Sequence, residues 1–326
     1  MQEATKTAAT VRLLDLHPPA SNFARDVLTG LSDSPKWMSP MYFYDAEGSR
    51  LFDLITELPE YYPTRAELEI MGAFMPQIAA RVGPRACVIE FGSGSGLKTR
   101  QLLQGLDRPV AYVPVEISRD HLVASASELA AEFPAIEVLP VCADFTAPFE
   151  LPEPDAHQAR NLVFFPGSTI GNFATAEAGQ LLEVMHTEAG PGGALLIGVD
   201  LRKDRSTVEA AYNDDAGVTA RFNLNLLERI NRELGANFDL AAFEHRADWN
   251  AEAGRIEMRL ISGRSQTVAV DGETVEFEVG ETILTEYSHK YELSEFAELA
   301  ARAGWRVEQV WTDAEALFSV QFLARD

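Results

Sequence analysis

The 326-residue chain has two cysteines, six histidines, few basic residues and no long apolar run, and each shortage excludes something. Cys87 and Cys142 lack Cys-x-x-Cys spacing and lie in apolar segments, so buried free thiols are expected rather than a disulfide. The histidines form no His-x-x-x-His or similar array, which leaves no metal site to predict. No stretch reaches the length of a membrane span and the N-terminus carries no apolar leader core, so a reduced, cytoplasmic protein is expected. Lys and Arg number 27 against 50 Asp and Glu, a formal charge of −23. That balance repels phosphate backbones and anionic lipid, so neither nucleic acid nor membrane is an expected partner.

Glycine, by contrast, is concentrated at one informative place. Val88-Ile89-Glu90-Phe91-Gly92-Ser93-Gly94-Ser95-Gly96 runs from a strand-like segment through an acid into three alternate glycines, and the helical Lys98-Thr99-Arg100-Gln101-Leu102-Leu103 follows. Without Cβ atoms, such a junction lets a ligand approach the main chain. Two glycine-rich alternatives fail on spacing. A phosphate-binding P-loop needs glycine directly before Lys98-Thr99, and a dinucleotide fingerprint needs it at the same position, where Leu97 stands. The remaining pattern, acid-x-Gly-x-Gly-x-Gly, resembles the form common among class I S-adenosylmethionine (SAM) methyltransferases.

Between about residues 86 and 201 continuous apolar runs alternate with helical segments, which implies a parallel sheet covered on both faces. Two strands after a final helix near Ser294–Ala303 would complete it. The expected fold is α/β: a Rossmann-like class I methyltransferase with a seven-stranded, mostly parallel sheet over 66–202 and 291–326. A smaller α+β substrate-binding lobe is expected from 20–65 and 203–290, with 1–19 as a flexible N-terminal arm. Within that lobe 203–250 reads as helical, while Asp271-Gly272 between alternating residues marks a hairpin.

Ligands of such sheets sit outside the carboxyl ends of the strands. Gly92, Gly94 and Gly96 would cradle SAM. Glu116, ending the second strand, can accept both ribose hydroxyls, and Asp144-Phe145, ending the third, can take the adenine amino hydrogen and pack on the base. Lys98 could meet the methionine carboxylate.

Five further segments occur in order: Trp37…Tyr42-Phe43-Tyr44-Asp45, Leu58-Pro59-Glu60-Tyr61-Tyr62-Pro63-Thr64-Arg65, Pro166-Gly167-Ser168-Thr169-Ile170-Gly171-Asn172, Tyr212-Asn213-Asp214-Asp215-Ala216-Gly217-Val218-Thr219 and Leu284-Thr285-Glu286-Tyr287-Ser288. Together, over roughly residues 20 to 326, they resemble the histidine-specific Nα-methyltransferases of ergothioneine biosynthesis. The resemblance implies conversion of L-histidine, through its mono- and dimethyl forms, to Nα,Nα,Nα-trimethylhistidine (hercynine), with SAM as donor and S-adenosylhomocysteine as product. It places Gly167, Asn172 and Tyr212 at the substrate, the last two on its α-carboxylate; a monomer is expected. Tyr44, the catalytic candidate, would lie near the α-amine, with Tyr61 beside the site. Glu286 and Ser288 would read the imidazole, with Met258 packed nearby.

The chemistry agrees. Glu286 and Ser288 are two apart and share a face of an extended strand. A neutral imidazole offers one donor and one acceptor nitrogen, which a carboxylate and a hydroxyl can match. No histidine or lysine stands in these motifs as an obvious base, so Tyr44 with a water is expected to orient the amine and carry its proton away. Three alternatives remain: a methyltransferase of another small amine or amino acid, an NAD-dependent oxidoreductase, and a silent SAM-binding protein.

Overall fold

A strand covered on both faces has no reason to alternate apolar with polar residues, and Ala86–Phe91 and Ala194–Asp200 are buried at every position. In the computed structural model, which describes residues 11–16, 22–92, 94 and 96–325, both lie inside a nine-stranded sheet. Its order is Leu14–Asp15, Val141–Cys142, Ala111–Glu116, Ala86–Phe91, Arg160–Phe165, Ala194–Asp200, Phe318–Arg325, Trp305–Thr312, and Glu137–Val138 also pairs with Ala111–Glu116. Pairing is parallel as far as Ala194–Asp200 and antiparallel for the last two strands.

Nine strands replace the expected seven for two reasons. The segment Ile136–Cys142 gives two strands rather than one because it is split at Pro140, which has no N–H for the ladder, although both halves follow one neighbour. Leu14–Asp15 adds an edge strand parallel to Val141–Cys142, with Leu14 and Leu16 packed on the apolar core. That corrects the expected arm over 1–19 at its described residues; 1–10 and 17–19 lie outside them. Both cysteines are buried and free. Among the described residues no helix is long and apolar enough to cross a membrane.

Apolar layers cover the two faces of the sheet. Thr175–Ala189 and Leu293–Arg302 contribute Leu182 and Phe296 to one; Tyr62–Val82 and Leu97–Gly105 contribute Ile70 and Leu102 to the other. A third core joins Val27, Phe43, Phe222, Leu226, Met258 and Ile283, residues far apart in sequence. It is built on a four-stranded sheet ordered Lys36–Trp37, Thr282–His289, Arg255–Ser262, Phe243–Asn250, against the helix Val218–Leu234. The helical expectation for 203–250 thus fails at Phe243–Asn250. Full-length pairing with Arg255–Ser262 outweighs local preference in a segment with few apolar residues. Gln266–Val270 and Glu273–Phe277 form the expected hairpin, with Asp271 (φ 48°) and Gly272 (φ 85°) in the left-handed region that its two-residue turn requires.

The helix Tyr62–Val82 belongs to both parts. Tyr61 and Tyr62, at its start, enter the third core, whereas Ala66, Ile70, Met71, Ile78 and Val82 enter the core of the large sheet. The lobe boundary expected at 65/66 therefore falls inside one helix. The small sheet returns to the large one where Leu201 bridges Tyr291 and the Tyr291 N–H donates to the Asp200 carbonyl (3.0 Å).

Candidate active site

The glycine turn is fixed from beneath. Glu90 is buried, and its carboxylate accepts from Thr99 Oγ1 (2.8 Å) on the following helix and from the Tyr112 hydroxyl (2.5 Å) on the neighbouring strand. Burial raises its pKa to about 7, against the opposing pull of Tyr112, Thr99 and Lys98. Above it Gly92 (φ 77°), Gly94 (φ 39°) and Gly96 (φ 68°) take positive φ, and Gly96 caps the helix Leu97–Gly105. Ser93 and Ser95 lie outside the described residues.

Three observations test whether SAM suits this cradle. A Cβ on Gly92 would stand 3.7 Å from the half-buried Phe145 ring, so the bare turn and an aromatic face adjoin. Glu116 Oε1 accepts from the Ile117 and Ser118 N–H groups (2.8 and 3.3 Å), leaving Oε2 without a hydrogen bond among the described residues. Asp144 Oδ1 accepts from the Thr146 N–H and hydroxyl (2.9 and 2.7 Å), and its Oδ2 is similarly uncommitted among the described residues. Each strand end thus keeps one carboxylate oxygen for a ligand, as a ribose and an adenine amino group require. The residues suit SAM.

Lys98 has a protein partner that sequence does not reveal. Its ammonium lies 2.5 Å from the carboxylate of Glu67, a buried residue on Tyr62–Val82 that also accepts from the Gly167 N–H (2.9 Å). Glu67 therefore ties the glycine-loop helix to the turn after Arg160–Phe165. A Cβ on Gly198 would come within 2.1 Å of Glu67 Oε1, so this carboxylate lies directly on the sheet. Gly167 (φ 80°) and Ser168 (φ 55°) both adopt left-handed conformations, leading into the short helical turn Thr169–Asn172. Gly171 in that turn lies against the His289 backbone, its Cβ position 2.8 Å from the carbonyl, which brings half-buried Asn172 to the edge of the small sheet.

The strand Thr282–His289 carries a bulge. Met258 pairs with Glu286 but Arg259 pairs with Leu284, so Thr285 is an extra residue, its hydroxyl donating to the Met258 carbonyl (3.2 Å). Ile283 and Thr285 are buried before the bulge, and Glu286, Ser288 and Lys290 after it. Met258 is itself buried opposite Glu286. Glu286 is 9% exposed, and its carboxylate has no hydrogen-bond partner among the described residues. Burial lifts its pKa to about 7, opposed by the charge on Lys290.

Beside it lies a network that sequence reasoning missed. Tyr212 Oη and Ser288 Oγ are 2.7 Å apart, and the buried Lys290 ammonium donates to both, at 2.9 and 2.8 Å. Lys290 also pairs with Asp200 (2.7 Å), whose other oxygen takes Lys203 (2.5 Å), and the Tyr62 hydroxyl donates to the same carboxylate (2.8 Å). Burial works against ionising Asp200, yet Lys290 and Lys203 hold its pKa below the usual carboxylate range. Lys203 is itself lowered to about 8 by burial, despite Asp200. Two signals were available: Asp200 ends a strand at the ligand edge, and Lys290 continues the two-residue spacing of Glu286 and Ser288.

Aromatic rings close the site. Tyr61 and Tyr212 are 6.2 Å apart edge to face, and Tyr44 lies 5.7 and 6.0 Å from Phe52 and Phe222. Tyr44 keeps 46% of its surface accessible, yet surrounding protein and the nearby Glu286 and Tyr212 raise its pKa well above an ordinary phenol. Burial, followed by the mutual fields of Tyr212, Tyr44 and Glu286, raises Tyr61 as well, so these groups converge.

The other motif residues build this arrangement rather than face it. Arg65 donates to the carbonyls of Leu58, Pro59 and Tyr61 (2.6, 2.7 and 3.1 Å), clasping the loop that presents Tyr61. Asp214 caps Val218–Leu234 through the Val218 and Thr219 N–H groups, both at 2.8 Å. Asp45 caps the helix Ala46–Glu57 at the Gly48 N–H (2.7 Å) and accepts from Asn225 (2.9 Å).

Known proteins place the chain. A model of a family described as histidine-specific methyltransferase, SAM-dependent, matches residues 23–325. The histidine N-alpha-methyltransferase of Mycolicibacterium smegmatis is 41% identical over 326 residues, 98% of this chain and 100% of that protein. Its counterpart from Mycobacterium tuberculosis is 41% identical over 311 residues, covering 92% and 94%. Ergothioneine biosynthesis protein 1 of Neurospora crassa is 29% identical over 296 residues, 86% of this chain and 32% of its own length. With a glycine cradle suited to SAM and likeness along nearly its whole length, the chain belongs to the histidine-specific, SAM-dependent methyltransferase family.

Proposed function

We propose that this protein transfers three methyl groups from SAM to the α-amino group of L-histidine, giving Nα,Nα,Nα-trimethylhistidine (hercynine) for ergothioneine biosynthesis. Among the observations on the site, Glu286 carries this reading: a buried carboxylate with no protein partner among the described residues, followed on the same face by Ser288. Such a group calls for a donor from the substrate, and an imidazole N–H supplies one. Apolar side chains would leave the carboxylate unpaired, so the site discriminates strongly against them.

Within this proposal Glu286 accepts the ring N–H, Ser288 serves the other ring nitrogen, and Met258 packs beside them. Asn172 and Tyr212 hold the α-carboxylate with neutral donors, Gly167 leaves room at the turn, and Tyr61 walls the site. Gly92, Gly94, Gly96, Lys98, Glu116, Asp144 and Phe145 hold SAM, which supplies an electrophilic methyl group when bound. The protein contributes orientation and a water-poor enclosure. An α-amine is mostly protonated at pH 7 and has to lose its proton before it can react. Tyr44, whose raised pKa keeps it a neutral phenol, orients the amine and passes its proton to water. The mono- and dimethyl intermediates occupy the same place, and aromatic faces accommodate the growing cation.

Incubation of the protein with L-histidine and SAM is expected to give products heavier by one, two and three methyl groups in a mass spectrum. Unchanged histidine would refute the proposal, and transfer to another amino acid in preference would move the acceptor to that class. Tyr44→Phe is expected to lower turnover at saturating histidine by about tenfold or more while leaving SAM affinity intact. Unchanged turnover across the pH range would remove Tyr44 from the proton path.

A further inference from the structure

We infer that Lys290 is a positioning residue for the acceptor: its ammonium holds the Tyr212 and Ser288 oxygens as hydrogen-bond acceptors, so that both O–H groups turn to the substrate as donors, one to its carboxylate and one to the bare nitrogen of a neutral imidazole. The inference rests on Glu286 and Ser288 being the imidazole contacts proposed above.

Proton counting carries it. An ammonium has three donors and no acceptor. The three acceptors around Lys290 are Asp200 Oδ2 (2.7 Å), Tyr212 Oη (2.9 Å) and Ser288 Oγ (2.8 Å). Each hydroxyl has one proton and two lone pairs, and Lys290 engages a lone pair on each. The two hydroxyls, 2.7 Å apart, form one hydrogen bond in which either can donate to the other. A carboxylate and a bare ring nitrogen can only accept, so each draws an O–H outward, and Lys290 keeps both oxygens in place when their mutual bond opens. Ring N–H groups directed at both Glu286 and Ser288 would require an imidazolium, a second cation beside a buried ammonium, where charges are poorly screened. Glu286, on the same strand face, takes the one N–H that a neutral ring possesses. Asp200, whose Oδ1 takes Lys203 and whose two oxygens both face the Tyr62 hydroxyl, anchors the ammonium and fixes where it can point.

Nitrogen NMR of ¹⁵N-labelled L-histidine bound to the wild-type protein with S-adenosylhomocysteine tests the donor pattern directly. Near pH 6.5 about half of the free ring is protonated. The bound ring is expected to show one protonated and one bare nitrogen; a bound imidazolium would overturn the inference. Calorimetry then tests Lys290 itself. Lys290→Met and Ser288→Ala are each expected to weaken histidine binding about tenfold or more, and the double variant should be weaker than the worse single by no more than about threefold. S-adenosylhomocysteine should bind all of them as it binds wild type. Losses that multiply across the pair, or a Lys290→Met protein that binds histidine normally, would reject the role. The NMR arm needs no variant, so it decides the question even where Lys290→Met does not fold. If wild type binds no histidine, the acceptor proposal itself fails; if Glu286→Gln abolishes binding while Lys290→Met does not, only Lys290 falls.

Discussion

Glu286→Gln should leave the ligand-free protein more stable and nearly inactive towards histidine. Burial raises the Glu286 carboxyl from 4.5 to about 7. The folded protein therefore takes up this proton more readily than the unfolded chain, and ionisation lowers stability progressively between those two values. Above pH 7 the full effect is present, about 3 kcal/mol at most for a shift of this size. A glutamine has no charge to bury, so the variant should unfold at a higher temperature than wild type at pH 8, and the gap should close below about pH 5. The same change removes the charged acceptor for the ring N–H, which is expected to lower kcat/KM for histidine about a hundredfold. Thermal unfolding at the two pH values and steady-state kinetics measure both sides. A variant less stable than wild type at pH 8, or one of normal activity, would contradict this role.

Asp200→Asn should have the opposite sign in stability. Asp200 is fully buried between Lys203 and Lys290, and removing its charge strands two ammonium groups in the interior. Breaking such a buried pair is expected to destabilise by about 3–5 kcal/mol, read as a large fall in unfolding temperature or in soluble yield. The pH dependence has a definite direction. Because the folded-state pKa lies below the 3.8 of an unperturbed aspartate, the stabilisation is present above that value and lost as pH falls through the lower folded one. Wild type should therefore lose its advantage over Asp200→Asn only in strong acid. Equal stability of the two proteins at pH 7 would show that the cluster is self-sufficient without its anion.

Much of this molecule was legible because the relevant signals are local. The apolar runs, the three glycines and the acids at strand ends repeat a short-range logic that one segment can display. Glu286 and Ser288 were readable because two-residue spacing implies a shared face. The pairing of Glu67 with Lys98, and of Tyr62 and Lys290 with Asp200, was not, since it joins partners remote in sequence; Tyr62 and Asp200 are 138 residues apart. Phe243–Asn250 was misread because its pairing with Arg255–Ser262, rather than an apolar rhythm of its own, makes it a strand. Pro140 could have signalled the split in its strand, but Leu14–Asp15 is too short to show any periodicity.

The bulge at Thr285 sets the parity of everything beyond it. Before the bulge odd-numbered Ile283 joins the apolar core, and after it even-numbered Glu286 and Ser288, continued by Lys290, supply the buried polar trio. The chain thus crosses from scaffold to recognition surface by a half-step in its count rather than by a change of direction. Glu286, Ser288 and Lys290 are consequently in phase with one another but out of phase with the scaffold that carries them. Their side chains can be exchanged one at a time, whereas a single-residue insertion between bulge and trio would turn all three away together.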